Sequence, residues 1–146
     1  MNKHRLLILA DALETRIPQE RFDLANWRYD LDFVRDESDS DYESRASDVS
    51  DDGLLHGCGT TGCAVGWACA LPEFKAEGLS WNGTPALAID GVIRQTSWVA
   101  VEMFFDLTYD QAHKLFDSAW YGSAQRRDPR AVSNRIREMV AEPSDE

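Results

Sequence analysis

All three cysteines of this chain fall in one glycine-rich stretch, His56-Gly57-Cys58-Gly59-Thr60-Thr61-Gly62-Cys63-Ala64-Val65-Gly66-Trp67-Ala68-Cys69-Ala70-Leu71-Pro72. Two kinds of chemistry are open to such residues. Cys63 falls at the start of a predicted helix, where backbone N–H groups and the helix dipole can lower a thiol pKa and make it nucleophilic. A thiol nucleophile also needs a base, and only His4, His56 and His113 are present. His113 falls on a predicted helix between Ala112 and Lys114, and nothing in the pattern directs it at Cys63. The catalytic pair to be tested is therefore Cys63 with His113, against the expectation that Cys63 is a buried small hydrophobe. The second chemistry is zinc ligation by His56, Cys58 and Cys63, extended by Cys69 or His113. Structural zinc sites present paired ligands at short spacing, whereas this stretch has a single CxxxxC and no second pair. No metal or cofactor is expected, and a Cys58–Cys63 disulfide is disfavoured in a reducing compartment.

The charge distribution points elsewhere. The formal net charge is −11. Between residues 30 and 52 stand ten acids (Asp30, Asp32, Asp36, Glu37, Asp39, Asp41, Glu43, Asp48, Asp51 and Asp52) against Arg35 and Arg45, a balance of −8 that leaves only −3 for the rest. Residues 36–52, DESDSDYESRASDVSDD, hold Tyr42 and Val49 as their only bulky hydrophobes. They cannot bury enough apolar area to offset their ordering entropy, which predicts a mobile acidic insertion within one domain. Direct nucleic-acid binding by this region is disfavoured, and a basic protein surface is its electrostatic match. The candidate partner-binding residues are Asp36, Glu37, Asp39, Asp41, Glu43, Asp48, Asp51 and Asp52. Arg126, Arg127, Arg130, Arg135 and Arg137 form a small basic cluster near the C-terminus, read as a solvated helix face.

The elements that position these residues follow from periodicity and turn signals. Leu6, Leu9, Ala10 and Leu13 share a helical face over residues 3–15, and Pro18 closes that helix. Phe22, Leu24 and Trp27 read as core anchors on an irregular segment. With Thr60 or Thr61 as N-cap, the central helix is expected to reach Leu71 and to be stopped by Pro72. Within it Gly66 costs about 1 kcal/mol relative to alanine, which marks a close approach by another backbone or a ligand. Asn82-Gly83 and Asp90-Gly91 predict a three-stranded meander, with Pro85 expected to place the second strand at an edge. Ser97 is expected to cap a helix through Phe105, Thr108 and Gln111 have capping-box spacing, and Asp128-Pro129 opens a last helix. Residues 141–146 are expected to be disordered.

Phe22-Asp23-Leu24-x-x-Trp27, Cys58-Gly59-Thr60-x-x-Cys63-x-x-Gly66-Trp67-Ala68 and Phe104-Phe105-x-Leu107-Thr108-x-x-Gln111-Ala112-x-x-Leu115-Phe116 together resemble a group of small uncharacterised proteins of bacteria and their phages. The resemblance covers most of the chain. It implies a phage or mobile-element origin and carries over no catalytic residues.

A chain of 146 residues buries roughly 70% of its unfolded surface, enough for a core without disulfide or metal. No stretch approaches a membrane span, and the apolar run at residues 6–10 is too short for a signal core, so the cytoplasm is the expected compartment. The expected fold is a single, mostly helical α+β domain over residues 1–146, with about five helices and a small antiparallel meander. Cys58, Gly59, Thr60, Cys63, Gly66 and Trp67 are its expected structural hub. The expected function is non-enzymatic: an acidic protein binding a basic surface of a host protein, such as a nucleic-acid-handling or defence complex. The alternatives are a thiol-dependent enzyme using Cys63 and a small zinc-binding protein.

Overall fold

Apolar residues spaced three and four apart in α1 (Lys3–Thr15) form its buried face, Leu6, Leu9, Ala10 and Leu13. In the computed structural model, which describes residues 1–30, 49–56 and 60–142, this face packs along the last helix. The following elements are a 3-10 turn (Gln19–Arg21), β1 (Arg28–Asp30), α2 (Asp51–His56), β2 (Thr60–Gly62), α3 (Ala64–Ala68) and α4 (Pro72–Lys75). Then come β3 (Leu79–Trp81), β4 (Pro85–Ile89), β5 (Val92–Thr96), α5 (Ser97–Phe105), α6 (Tyr109–Phe116), a 3-10 turn (Ser118–Trp120) and α7 (Pro129–Ala141). The architecture is α+β and mostly helical, as expected, with seven helices among the described residues and two small antiparallel sheets.

α7 opens as its sequence predicts. Asp128 caps it by accepting from the Arg130 N–H at 3.0 Å, with Pro129 in the first turn. Its buried stripe, Val132, Ile136 and Met139, faces α1. The seam is closed at its polar edge by Arg137, which donates to Glu14 at 3.0 Å and to Asp11 at 2.6 Å, and by the Ser133 hydroxyl on Glu14 at 2.5 Å. These hydrogen bonds hold the Glu14 carboxyl below the usual carboxylate range. Phe74, Phe104 and Phe105 pack edge-to-face with centroids 5.0–5.6 Å apart, and join α4 to α5.

The meander has the order β3-β4-β5, with Leu79 opposite Leu87 and Ile89 opposite Val92. Asp90 and Gly91 both take positive φ (54° and 78°), as a two-residue hairpin with the right-handed strand twist requires. The expectation for Pro85 is corrected: β4 is the central strand. Pro85 is its first residue, opposite Trp81, where a missing N–H breaks no ladder. Ser97 does not cap α5 either. Thr96 occupies the N-cap position, and Ser97 adopts φ 58° so that the chain passes from strand to helix without a loop. The α5–α6 corner is as tight as the spacing implies. Asp106 is left-handed (φ 52°), the Leu107 N–H returns to the Glu102 carbonyl at 2.8 Å, and Thr108 and Gln111 form a reciprocal capping box.

The central stretch differs most from expectation. Thr60 and Thr61 are strand residues, paired antiparallel with Asp30 and Tyr29 in the β1–β2 ribbon. Helix geometry begins only after Cys63, which is itself the N-cap: its Sγ accepts from the Gly66 N–H at 3.4 Å. Two β-branched residues beside an available strand satisfy their backbone groups better in a ladder than as caps. Pro72 does not merely end the run: it is the first residue of α4. The acidic stretch expected to be mobile over residues 36–52 lies outside the described residues as far as Asp48. Its last four residues depart from that expectation, since Val49 is buried at 6% exposure and Asp51 opens α2. Most of the expected disordered tail, residues 143–146, also lies outside the described residues, and Ala141 completes α7.

Candidate functional site

The expected hub around Cys63, Gly66 and Trp67 is a junction, and its centre is a residue that sequence reasoning passed over. Arg28, 0% exposed, lies on β1. Its Nε donates to the Gly66 carbonyl at 3.0 Å, Nη1 to the Val49 carbonyl at 2.8 Å and Nη2 to Asp51 at 2.7 Å. The guanidinium also lies 4.4 Å from the centroid of the Trp81 ring. A planar fork can reach three acceptors in different directions, which a lysine cannot. Asp51 receives a second cation, Lys75, at 2.7 Å. Against the upward push of its partial burial, the hydrogen bonds from Lys75 and Arg28 hold the Asp51 carboxyl below its ordinary value. Asp51 is thus committed to internal ion pairs, whereas Asp52, its neighbour among the candidate partner-binding acids, is exposed. Asp36, Glu37, Asp39, Asp41, Glu43 and Asp48 lie outside the described residues, as do Cys58 and Gly59 of the hub.

Gly66 is required by this junction. A Cβ built there would lie 1.8 Å from the Trp27 carbonyl oxygen and 2.8 Å from its carbon. The close approach inferred from an in-helix glycine is therefore that of the 27–28 backbone. The Cys63 N–H binds the carbonyls of Asn26 and Trp27, both at 3.1 Å, and the Trp67 indole N–H donates to the Arg21 carbonyl at 3.0 Å. Arg21 in turn donates to the α2 carbonyls of Leu54 and Leu55 and to the Thr60 hydroxyl.

The catalytic pairing of Cys63 with His113 is not assembled. Cys63 is 2% exposed, and burial pushes its thiol up to about 11 despite the hydrogen bond from Gly66; burial likewise pushes Cys69 up to about 12. His113 engages Asp117 through Nδ1 at 2.8 Å, and its buried Nε2 has no hydrogen-bond partner among the described residues, so neither ring nitrogen bonds the thiol. Native protein treated with iodoacetamide at pH 8 should keep Cys63 and Cys69 unmodified by peptide mass spectrometry, with both alkylated only in denaturant. Alkylation of native Cys63 within minutes would restore the nucleophile reading. For zinc, His56 is exposed at the end of α2 and Cys63 is enclosed; among the described residues no three His, Cys, Asp or Glu side chains are gathered as a metal site needs.

The C-terminal arginines are largely occupied within the fold. Arg126 donates to the Ser118 and Tyr121 carbonyls, Arg135 to those of Lys114 and Trp120, and Arg127 lies 3.7 Å from Asp23. Arg135 also covers the Tyr121 ring at 3.9 Å.

What sequence reasoning did not assemble is a cleft of about 380 Å³ beside the junction. It is lined by three indoles far apart in the chain, Trp27, Trp81 and Trp98, together with Cys63, Phe116 and Asp117. Trp27 and Trp98 meet at 55° with centroids 4.9 Å apart, and His113 stacks on Trp98 at 3.8 Å. The N–H of Ala119 and the His113 ring hold the Asp117 carboxyl below its usual range. The sequence signal for this cleft is faint: Trp27 precedes β1, Trp81 ends β3 and Trp98 lies in the first turn of α5. No protein-family model, no curated protein and no solved structure matches this chain. No helix among the described residues is long and apolar enough to cross a membrane.

Proposed function

We propose that this chain is a non-enzymatic interaction protein, of phage or mobile-element origin, that presents an acidic segment to a basic surface of a host protein, such as a nucleic-acid-handling or defence complex. The observation that supports the reading is the anchoring at Arg28. The chain leaves β1 at Asp30 and returns at Val49, and Arg28, two residues before that exit, binds the Val49 carbonyl and the Asp51 carboxylate. The described residues that flank 31–48, a stretch of seven acids against two arginines, are therefore joined through Arg28. A net −5 over 18 residues held at one place raises the local concentration of basic partners and speeds their association.

The test removes residues 37–47 and leaves Val49 and Asp51 in place, because a longer deletion would strip Arg28 of two of its acceptors. Affinity capture from host lysate should recover a basic protein with the intact chain and not with the shortened one. The recovered complex should dissociate as salt rises through a few hundred millimolar, where the Debye length falls well below about 8 Å. Equal recovery by both chains, or capture indifferent to salt, defeats the reading.

A further inference from the structure

We propose that the tryptophan cleft is a binding site for an organic cation, an alkylated ammonium or a guanidinium on an apolar stem. The proposal deepens the interaction reading, in that a basic partner surface would supply this group. Three features carry it. First, Trp27 and Trp98 meet at 55° rather than in parallel and both line the 380 Å³ space, and Trp81 and Phe116 complete its aromatic lining. Indole faces attract cations through the ring quadrupole, and an apolar stem gains further by burying its methylenes against the same walls.

Second, the charge of the lining has one sign. Among the described residues Asp117 is its only ionised side chain, and no described lysine or arginine lines it. Arg28, which lies against Trp81, is paired with Asp51 at 2.7 Å. Among the described residues anionic ligands such as nucleotides or phosphates would find no counter-charge here, whereas a cation finds a carboxylate that accepts from two described donors, His113 and the Ala119 N–H.

Third, the cleft adjoins Ser50, Asp51 and Asp52, just after the acidic segment rejoins the domain. Trp81 and Gly83 line both this cleft and a second depression of about 450 Å³ that includes Ser50, Asp51 and Asp52. A cation drawn toward Asp51 and Asp52 thus arrives beside Trp81. The interaction reading takes its cation from a basic protein surface, which favours a peptide source over a free small ammonium compound.

The experiment titrates four probes into the intact protein: acetyl-trimethyllysine methylamide, acetyl-arginine methylamide, choline, and 3,3-dimethyl-1-butanol, the neutral isostere of choline. The readouts are the indole N–H resonances and tryptophan fluorescence. The charged probes should shift the resonances of Trp27, Trp81 and Trp98 and leave that of the exposed Trp120 unchanged. Choline should bind roughly tenfold more tightly than its neutral isostere, and the two amides more tightly than choline. Tighter binding of choline than of both amides would assign the site to a free ammonium, within the same proposal. Equal binding of choline and the isostere, or no perturbation of the three indoles, overturns it.

Asp117→Asn retains an oxygen to cap the Ser118–Trp120 turn and should weaken the charged probes several-fold without changing affinity for the isostere. Trp98→Leu should abolish binding of all four. The same titration in the chain lacking residues 37–47 separates the two readings. Cation binding retained there, with partner capture lost, supports both; binding lost from both chains overturns the cleft alone.

Discussion

Gly66→Ala should destabilise the protein by about 3 kcal/mol or more, lowering the melting temperature by roughly 10 °C for a domain of this size. The sign is opposite to the usual one, since alanine is favoured over glycine inside a helix by about 1 kcal/mol. Here the added methyl would overlap the Trp27 carbonyl at 1.8 Å, and the obstacle is backbone, already committed to the Cys63 N–H. Gly83→Ala provides the control. Nothing lies within 4 Å of its Cβ position, and only its positive φ of 73° opposes substitution, so its cost should stay near 1 kcal/mol. Urea unfolding of the two variants side by side decides the matter. A Gly66→Ala protein as stable as Gly83→Ala would show that the two segments can separate at little cost.

Arg28→Met is expected to cost about 3–5 kcal/mol, the range for removing one partner of a buried ion pair. It deprives the Gly66 and Val49 carbonyls of their donor and leaves Asp51 with Lys75 alone. Arg28→Lys should recover only a minor part, because one ammonium cannot span the same acceptors. The pH dependence carries a second signature. The Asp51 carboxyl is held below its ordinary value in the folded state, so its contribution is present above the unfolded pKa near 3.8 and is lost as pH falls through the lower folded value. Arg28→Met should therefore flatten the acid limb of a stability–pH profile, and Lys75 should preserve part of it. Identical profiles for the two proteins would mean that the Arg28–Asp51 pair adds nothing to folding.

Much of this fold is written locally. α1 and α7 declare themselves by apolar spacing, α6 by Thr108 and Gln111, and the β4–β5 turn by Asp90-Gly91, because each signal acts within a few residues of the structure it creates. The β1–β2 ribbon is different. Three residues make no strand unaided, and the partner that turns Thr60-Thr61 from a cap into a ladder lies some thirty positions earlier. Pro72 illustrates a related ambiguity, since proline forbids the interior of a helix but suits both the point after one and the start of the next. Arg28 left one trace, a charged residue set between Trp27 and Tyr29 just before an acid-rich run, but its burial depends on Gly66 and Val49 arriving from elsewhere. The cleft was still less visible: Trp27, Trp81 and Trp98 come from an irregular segment, the end of a strand and the first turn of a helix, and only the tertiary fold brings them to one space. The excess of acids was legible at once, while the internal commitment of Asp51 was not.

The anchoring at Arg28 also bears on how such a protein can diverge. Arg28 is tied to the Val49 carbonyl and the Asp51 carboxylate, so a change of length between Asp30 and Val49 leaves these anchors in place, and for a flexible loop each doubling of length adds only about 0.6 kcal/mol of closure entropy. Residues can be gained, lost or exchanged between Asp30 and Val49 while Arg28, Gly66 and Asp51 keep the junction intact. On the proposed reading, selection on folding and selection on recognition would then act on separate parts of the chain.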